Sequence, residues 1–151
     1  MGGTKLKLRV LLDRDDPIMD ELRELNIEID ESSEYVLTRR DTGINYLPAK
    51  DGDQTFFIPI GDIVYIDSLG HDVMIHTMDG TYVTKERLKS LEMMLDPDDF
   101  MRVSNSAIIS IRGIRRIEGT ILQKFYLHMA NGDTVDVTRS YYYIFKDRLN
   151  I

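Results

Sequence analysis

The chain has 151 residues, no cysteine and 42% apolar residues, a composition that excludes disulfides and thiolate metal sites and is typical of a folded protein. No run approaches the roughly 20 apolar residues of a membrane span. The net charge of −7 disfavours a non-specific nucleic-acid binder. Its distribution is uneven, since residues 1–53 carry 8 basic and 13 acidic residues while residues 54–151 carry 11 and 13.

The N-terminal third predicts a small β-α-β-β unit. Lys5 to Leu12 begins with alternating apolar residues, as a strand does. Asp15-Asp16-Pro17 then predicts a helix start, with an acidic cap followed by proline. Short strands follow near 27–29 and 35–38, and turn-forming residues over 41–53 predict a loop or linker. We therefore divide the chain into an N-terminal segment, 1–53, and a second domain, 54–151.

Residues 54–151 predict a mainly β domain with two short helices. Asp79-Gly80 and Asn131-Gly132 are flanked by alternating apolar residues, which predicts two β-hairpins. One helix is predicted from Lys85 to Leu95 and another from Tyr141 to Leu149. Short apolar runs occupy most of the remainder, so we expect antiparallel sheets.

The aromatic run in the last predicted helix has two explanations. Tyr141-Tyr142-Tyr143 could stack on unpaired bases. Helical spacing instead favours core packing, because it places four side chains on one stripe: Tyr141, Ile144, Phe145 and Leu149.

Several stretches together resemble the LytTR family of bacterial DNA-binding regulators. They are Ile60–Ile66, Phe100–Ile109 and Val137–Tyr141, combined with the two hairpins and the helix from Lys85. The resemblance implies an elongated, mostly antiparallel β domain, here preceded by the β-α-β-β unit. It also implies a cytoplasmic bacterial transcription regulator that reads repeats in double-stranded promoter DNA through loops, usually as a homodimer. We expect no cofactor.

The resemblance places DNA-contacting side chains at His71, Asn105 and Arg139, each in or beside a predicted turn. Arginine can donate two hydrogen bonds to guanine, asparagine can pair with adenine, and histidine can donate to a base or a phosphate. Six further side chains are candidates for DNA contact: Ser104, Ser106, Ser140, Arg102, Arg115 and Arg116.

Most of these residues also have a purely structural explanation. A loop histidine is often only solvated, and Asn105 between two serines is typical of a turn. Arg139 could pair with Asp136, and Ser140 could cap the last helix. The basic cluster Arg112, Arg115 and Arg116 could follow phosphates or form a solvated strand edge that blocks pairing.

Neither catalysis nor metal binding has a signature in this sequence, so we predict that the chain is not an enzyme. The acidic stretch 96–99 lacks the spacing and closing glutamate of a calcium loop. His71 and His76 do not have zinc-ligand spacing, and no glycine-rich phosphate loop or nucleophile elbow occurs. The net charge keeps one alternative open, a protein–protein interaction module without DNA binding.

The N-terminal segment is too short for a phospho-receiver domain, since one β-α-β unit already uses about 30 residues. We therefore interpret the acidic group at Asp13, Asp15 and Asp16 as helix capping. Our hypothesis is that residues 1–53 extend a dimer or contact a regulatory protein partner.

Overall fold

The computed structural model describes residues 5–38 and 44–151, which belong to two separate compact units. We call residues up to 43 the N-terminal unit and residues from Ile44 onward the β domain. None of the helices in these described ranges is both long and apolar enough to cross a membrane.

The N-terminal unit has the predicted β-α-β-β order. Its elements are β1 (Lys7–Val10), α1 (Ile18–Glu24), β2 (Glu28–Ile29) and β3 (Val36–Leu37). The central strand β1 pairs in parallel with β2 on one side and β3 on the other. Asp16 accepts a hydrogen bond from the backbone N–H of Ile18, as an acidic residue at a helix start can. Only Met19 and Leu22 are buried hydrophobics among the described residues of this unit.

The β domain is mainly β, as predicted. Its strands are β4 (Tyr46–Asp51), β5 (Gln54–Pro59), β6 (Tyr65–Leu69), β7 (Asp72–His76), β8 (Thr81–Thr84), β9 (Phe100–Ser104), β10 (Ala107–Ser110), β11 (Ile114–Gly119), β12 (Phe125–Met129) and β13 (Thr134–Val137). Its helices are α2 (Leu88–Met94) and α3 (Tyr142–Leu149), and short 3-10 turns occur at Ile60–Asp62, Ile111–Gly113 and Arg139–Tyr141.

The strands form two antiparallel sheets. The seven-stranded sheet has the order β5-β4-β8-β7-β6-β10-β9, and the three-stranded sheet has the order β11-β12-β13. Both predicted hairpins are present, with Asp79-Gly80 between β7 and β8 and Asn131-Gly132 between β12 and β13. Gly132 has φ +92°, a backbone conformation that favours glycine.

The prediction of a loop over 41–53 is wrong for Tyr46–Asp51, which forms β4. Leu47 and Ala49 point into the core, whereas Pro48 and Lys50 are exposed. Pro48 masks this alternation in the sequence, since proline is rare inside a strand. Residues from Ile44 onward therefore belong with the β domain, ten residues before the boundary that we placed at 53. Residues 41–43 lie outside the described ranges.

The central strands contribute to two hydrophobic cores. Ile66 and Ile108 belong to the first core, with the apolar face of α2. Their neighbours Tyr65 and Ile109 belong to the second, with the three-stranded sheet and α3. Adjacent residues on a strand point to opposite faces, so β6 and β10 supply both cores.

Helix α3 packs through Tyr142, Phe145 and Leu149, at the spacing of one helical face. Phe145 is fully buried, and the Phe125 ring lies 4.8 Å from the Tyr142 ring in a stacked arrangement. The core-packing prediction is confirmed for Phe145 and wrong for Ile144, which is 59% exposed. A 3-10 turn occupies Arg139–Tyr141, so α3 begins at Tyr142, one residue later than predicted. With this start, Ile144 faces solvent.

Replacing Phe145 with alanine should lower the free energy of unfolding by about 3–5 kcal/mol, because it empties a fully enclosed site. Ile144→Ala, one residue earlier on the exposed side, should change it by less than about 0.5 kcal/mol. Urea denaturation measures both variants. Equal losses would contradict the assigned helix face.

Candidate nucleic-acid interface

Two of the three candidate turns lie at the same end of the seven-stranded sheet. The β6–β7 turn contains His71 and the β9–β10 turn contains Asn105. Strands β6 and β10 pair antiparallel, and the Ser68 backbone N–H donates to the Ser106 carbonyl at 2.9 Å. The end where β6 and β9 finish is therefore shared by both turns, and we call it the turn end.

The third candidate, Arg139, reaches the turn end through β13. The Thr138 backbone N–H donates to the carbonyl of Val103, close to the end of β9, at 3.1 Å. The Tyr141 hydroxyl then lies 3.5 Å from Asn105 Oδ1. With strands about 4.8 Å apart, the His71 and Asn105 turns are separated by roughly 10 Å, and Arg139 lies beyond Asn105.

All three candidate side chains are solvent-exposed. Gly70, just before His71, has φ +65°, which suits glycine and makes the tight turn possible. No described residue forms an ion pair with Arg139, so the alternative pairing with Asp136 does not occur within the described ranges. The turn end therefore presents an imidazole, an amide and a guanidinium to solvent.

Arg102 supports the Asn105 turn instead of facing solvent. Its Nε donates to the Ser104 carbonyl at 2.8 Å, and one Nη donates to the Asn105 carbonyl at 2.6 Å. Its other Nη donates to Glu92 Oε2 at 2.7 Å. The side chain is only 17% exposed, so it is far less available to an external phosphate than the sequence indicates.

The three candidate serines have different environments. Ser104 is buried, and its hydroxyl accepts a hydrogen bond from the Ser106 backbone N–H at 3.1 Å. Ser106 and Ser140 are exposed at the turn end. The interpretation of Ser140 as a helix cap is wrong, because no side chain caps the 3-10 turn or α3.

The structure does not bring Arg112 or Arg115 to the turn end. The Ala130 backbone N–H donates to the Gly113 carbonyl, which places this segment beside the β12–β13 turn, at the end we call the opposite end. Arg112 pairs with Asp99 at 3.5 Å, and Arg115 donates to the Arg112 carbonyl. Arg116 is on the edge strand β11 and lies 3.9 Å from Glu118.

Acidic residues are concentrated at the opposite end. Seven aspartates lie in the turns there: Asp53, Asp62, Asp79, Asp96, Asp98, Asp99 and Asp133. The turn end has fewer acids, with Asp72 beside His71, Glu86 after β8, and Glu118 and Asp136 one residue before β11 and β13 finish there. Within the β domain, aspartates are therefore more numerous in the turns of the opposite end, where Arg112 and Arg115 also lie.

Two cations beside His71 at the turn end were missed by the sequence analysis. Lys85 and Arg87 follow β8, whose last residue Thr84 pairs with Val73 near His71. Both side chains are exposed. The register of a hairpin is set by its turn. Counting outward along both strands from the predicted Asp79-Gly80 turn would therefore have placed Lys85 and Arg87 close to His71.

His76 and His128 have intramolecular partners, and His76 has the more extensive set, whereas His71 is exposed in its turn. The His76 ring lies 2.7 Å from Asp67 and 3.0 Å from Thr81, and it stacks on Tyr65 with centroids 4.1 Å apart. Burial raises the pKa of Tyr65 above its ordinary value, and the hydrogen bond that its hydroxyl donates to Asp133 adds to this. This group is an internal network. No cluster of three or more potential metal-ligating side chains occurs in the described ranges.

Comparison with known proteins decides the family. The LytTr DNA-binding domain family matches residues 53–150, which is well over half of the chain. The chain belongs to the LytTR family. It therefore carries a DNA-binding domain of that family.

Solved and sequenced LytTR relatives agree with this assignment. A LytTr DNA-binding domain from Bacillus cereus superposes with a TM-score of 0.70 at 26% identity, covering 72% of this chain and 100% of that domain. The sensory transduction protein LytT of Bacillus cereus is 38% identical over 84 residues, which is 56% of this chain and 34% of LytT. The CO-responsive transcriptional regulator RcoM of Rhodospirillum rubrum is 31% identical over 98 residues, 62% and 40% of the two chains. The chain thus matches less than half the length of either full-length relative.

Arg102→Met should loosen the Asn105 turn, because it removes three hydrogen bonds while keeping most of the side-chain volume. Hydrogen bonds to charged groups contribute about 1.5–3 kcal/mol, so the Ser106 amide should exchange with solvent at least about tenfold faster. Hydrogen exchange measures this directly. Arg112→Met is the control, since that side chain is 85% exposed. Unchanged exchange at Ser106 would show that Arg102 does not hold the turn.

Proposed function

We propose that this chain is a bacterial transcriptional regulator that binds double-stranded promoter DNA through its turn end. The observation that supports the proposal most is the convergence of three separate turns, bearing His71, Asn105 and Arg139, at one end of a LytTR-family domain. A DNA-binding regulator acts on the chromosome, so we place it in the cytoplasm.

The chemistry of the three side chains suits groove recognition. Arg139 can donate two hydrogen bonds to guanine, and Asn105 can form a matching pair with adenine. His71 sits on a turn roughly 10 Å from Asn105, within the roughly 12 Å width of a major groove. Binding through turns instead of a helix leaves each copy with few base contacts.

Other turn-end residues would position the duplex. Ser106 and Ser140 can donate hydroxyl hydrogens to phosphate, and Lys85 and Arg87 can neutralise phosphate charge. Arg102 and Ser104 would act indirectly, by holding the Asn105 turn. Arg115 and Arg116 lie away from this surface, so we assign them no direct contact.

A homodimer on repeated promoter sites follows from the small footprint. One copy contacting few base pairs has limited specificity, whereas two copies on spaced half-sites read twice as many. The N-terminal unit fits a role in this dimer or in binding a regulatory protein. It has two buried hydrophobics among its described residues, and units of about 40 residues rarely fold without additional association, disulfides or metals.

The net charge of −7 favours one alternative, a protein-interaction module without DNA binding. The concentration of aspartates at the opposite end weakens that argument, because a DNA duplex at the turn end would be remote from them.

The salt dependence of binding tests the electrostatic side of the proposal. Few phosphates should be neutralised, so the slope of log K against log salt concentration should be much shallower than about −10.

Arg139→Ala should weaken binding to the preferred duplex by about 1–3 kcal/mol and relax specificity at one base pair, because it removes a bidentate base contact. The duplex is first selected from a random-sequence library by the wild-type chain. Fluorescence anisotropy then gives the affinity.

Arg112→Ala is the matched control, since it removes a cation at the opposite end. It should leave the affinity unchanged. If the wild-type chain selects no sequence, or if the two arginine variants lose affinity equally, the proposed interface is wrong.

A further inference from the structure

The loop between β11 and β12, residues 120–124, presents two aliphatic side chains to solvent. Ile121 is 99% exposed and Leu122 is 67% exposed. Ile121 is the most exposed large hydrophobic residue in the described ranges. Because Ile121 and Leu122 are adjacent, the loop exposes a small continuous aliphatic surface and not one isolated apolar residue.

The loop is held in one conformation by its own side chains. The Thr120 hydroxyl accepts the backbone N–H groups of Leu122 and Lys124 and donates to the Lys124 carbonyl at 3.1 Å. Gln123 adopts φ +55°, and its Nε2 donates to the Tyr143 hydroxyl at 3.0 Å. The aliphatic tip is therefore fixed relative to α3.

The loop lies at the turn end, on the side of Arg139. Gly119 pairs with Phe125, and Phe125 pairs with Val137, so the loop projects from the end where β13 finishes. Tyr143 stands in the first turn of α3, directly after the Arg139–Tyr141 turn. The order of surface features along this end is therefore His71, Asn105, Arg139 and then the aliphatic tip.

We propose that Ile121 makes an apolar contact with thymine methyl groups in the DNA groove beside the base pair that Arg139 contacts. This inference rests on the proposed DNA-binding function. DNA is the occupant that the surroundings favour, because the tip continues the surface bearing Arg139 and has Gln123 and Lys124 beside it. Thymine is the base that offers a methyl group in the major groove, and aliphatic side chains are suited to contact it.

The test compares the full-length wild-type chain with Ile121→Ser on the selected duplex, by fluorescence anisotropy. Ile121→Ser should raise the Kd about tenfold, equivalent to about 1.4 kcal/mol, without changing the salt slope, since no phosphate contact is lost. Replacing one thymine by uracil, which lacks the methyl group, should weaken wild-type binding similarly. The two changes should not add, because they remove the same contact.

Two controls separate the possible results. Met78→Ser changes a 62% exposed residue in a hairpin turn at the opposite end, and it should leave the Kd unchanged. Ile121→Leu should retain most of the affinity. If Arg139→Ala weakens binding but Ile121→Ser does not, the thymine contact is wrong and the DNA-binding function stands. If the wild-type chain selects no duplex, the function itself fails.

A further result would overturn the methyl contact in a different way. If Ile121→Ser weakens binding equally on thymine and uracil duplexes and also reduces DNA bending, the loop acts as a minor-groove wedge. Bending is measured by energy transfer between dyes at the two ends of the duplex.

Discussion

Two backbone hydrogen bonds bring the three candidate turns to one end of this domain. One joins Ser68 to Ser106 and aligns the β6–β7 turn with the β9–β10 turn. The other joins Thr138 to Val103 and brings the segment containing Arg139 to the same end. Neither bond involves a base-contacting side chain. The register of strands buried on both faces therefore positions the residues that we assign to recognition, and a one-residue slip would move the side chains of each core into the opposite core.

The separation of charge along the strands explains how an acidic chain can have a surface suited to DNA. The net charge of −7 describes the whole chain, but seven aspartates of the β domain lie in the turns remote from Arg139. Exposed charges separated by more than about 8–10 Å are largely screened at physiological salt. Local charge at the turn end therefore matters more for an approaching duplex than the total. The small number of cations there also favours recognition by shape and by base contacts over bulk electrostatic attraction.

Much of the fold could be predicted from local patterns, whereas the roles of several side chains depend on distant partners. Asp79-Gly80 and Asn131-Gly132 indicate their hairpins because these residues are frequent in turns, and Gly132 has the positive φ that favours glycine. Strand β4 was missed because Pro48 interrupts its short alternation of buried and exposed residues. Only the pairing with β5 identifies this segment as a strand. Arg102 cannot be recognised as a turn support from the sequence, because its hydrogen bonds to the Ser104 and Asn105 carbonyls and to Glu92 depend on the folded turn and on α2. Arg115 shares its residue type with Arg139 but lies at the other end, a difference that only the topology reveals.

The most direct test of this account is a map of which backbone amides respond when the selected duplex is titrated into the isotopically labelled full-length chain. Nuclear magnetic resonance chemical shifts report this residue by residue. The account predicts that the largest changes occur together around Gly70–His71, Asn105–Ser106 and Arg139–Ser140, with little change around Arg112–Arg115. Changes centred on Arg112–Arg115, or spread evenly over both ends, would contradict the assignment of the turn end as the DNA-binding surface.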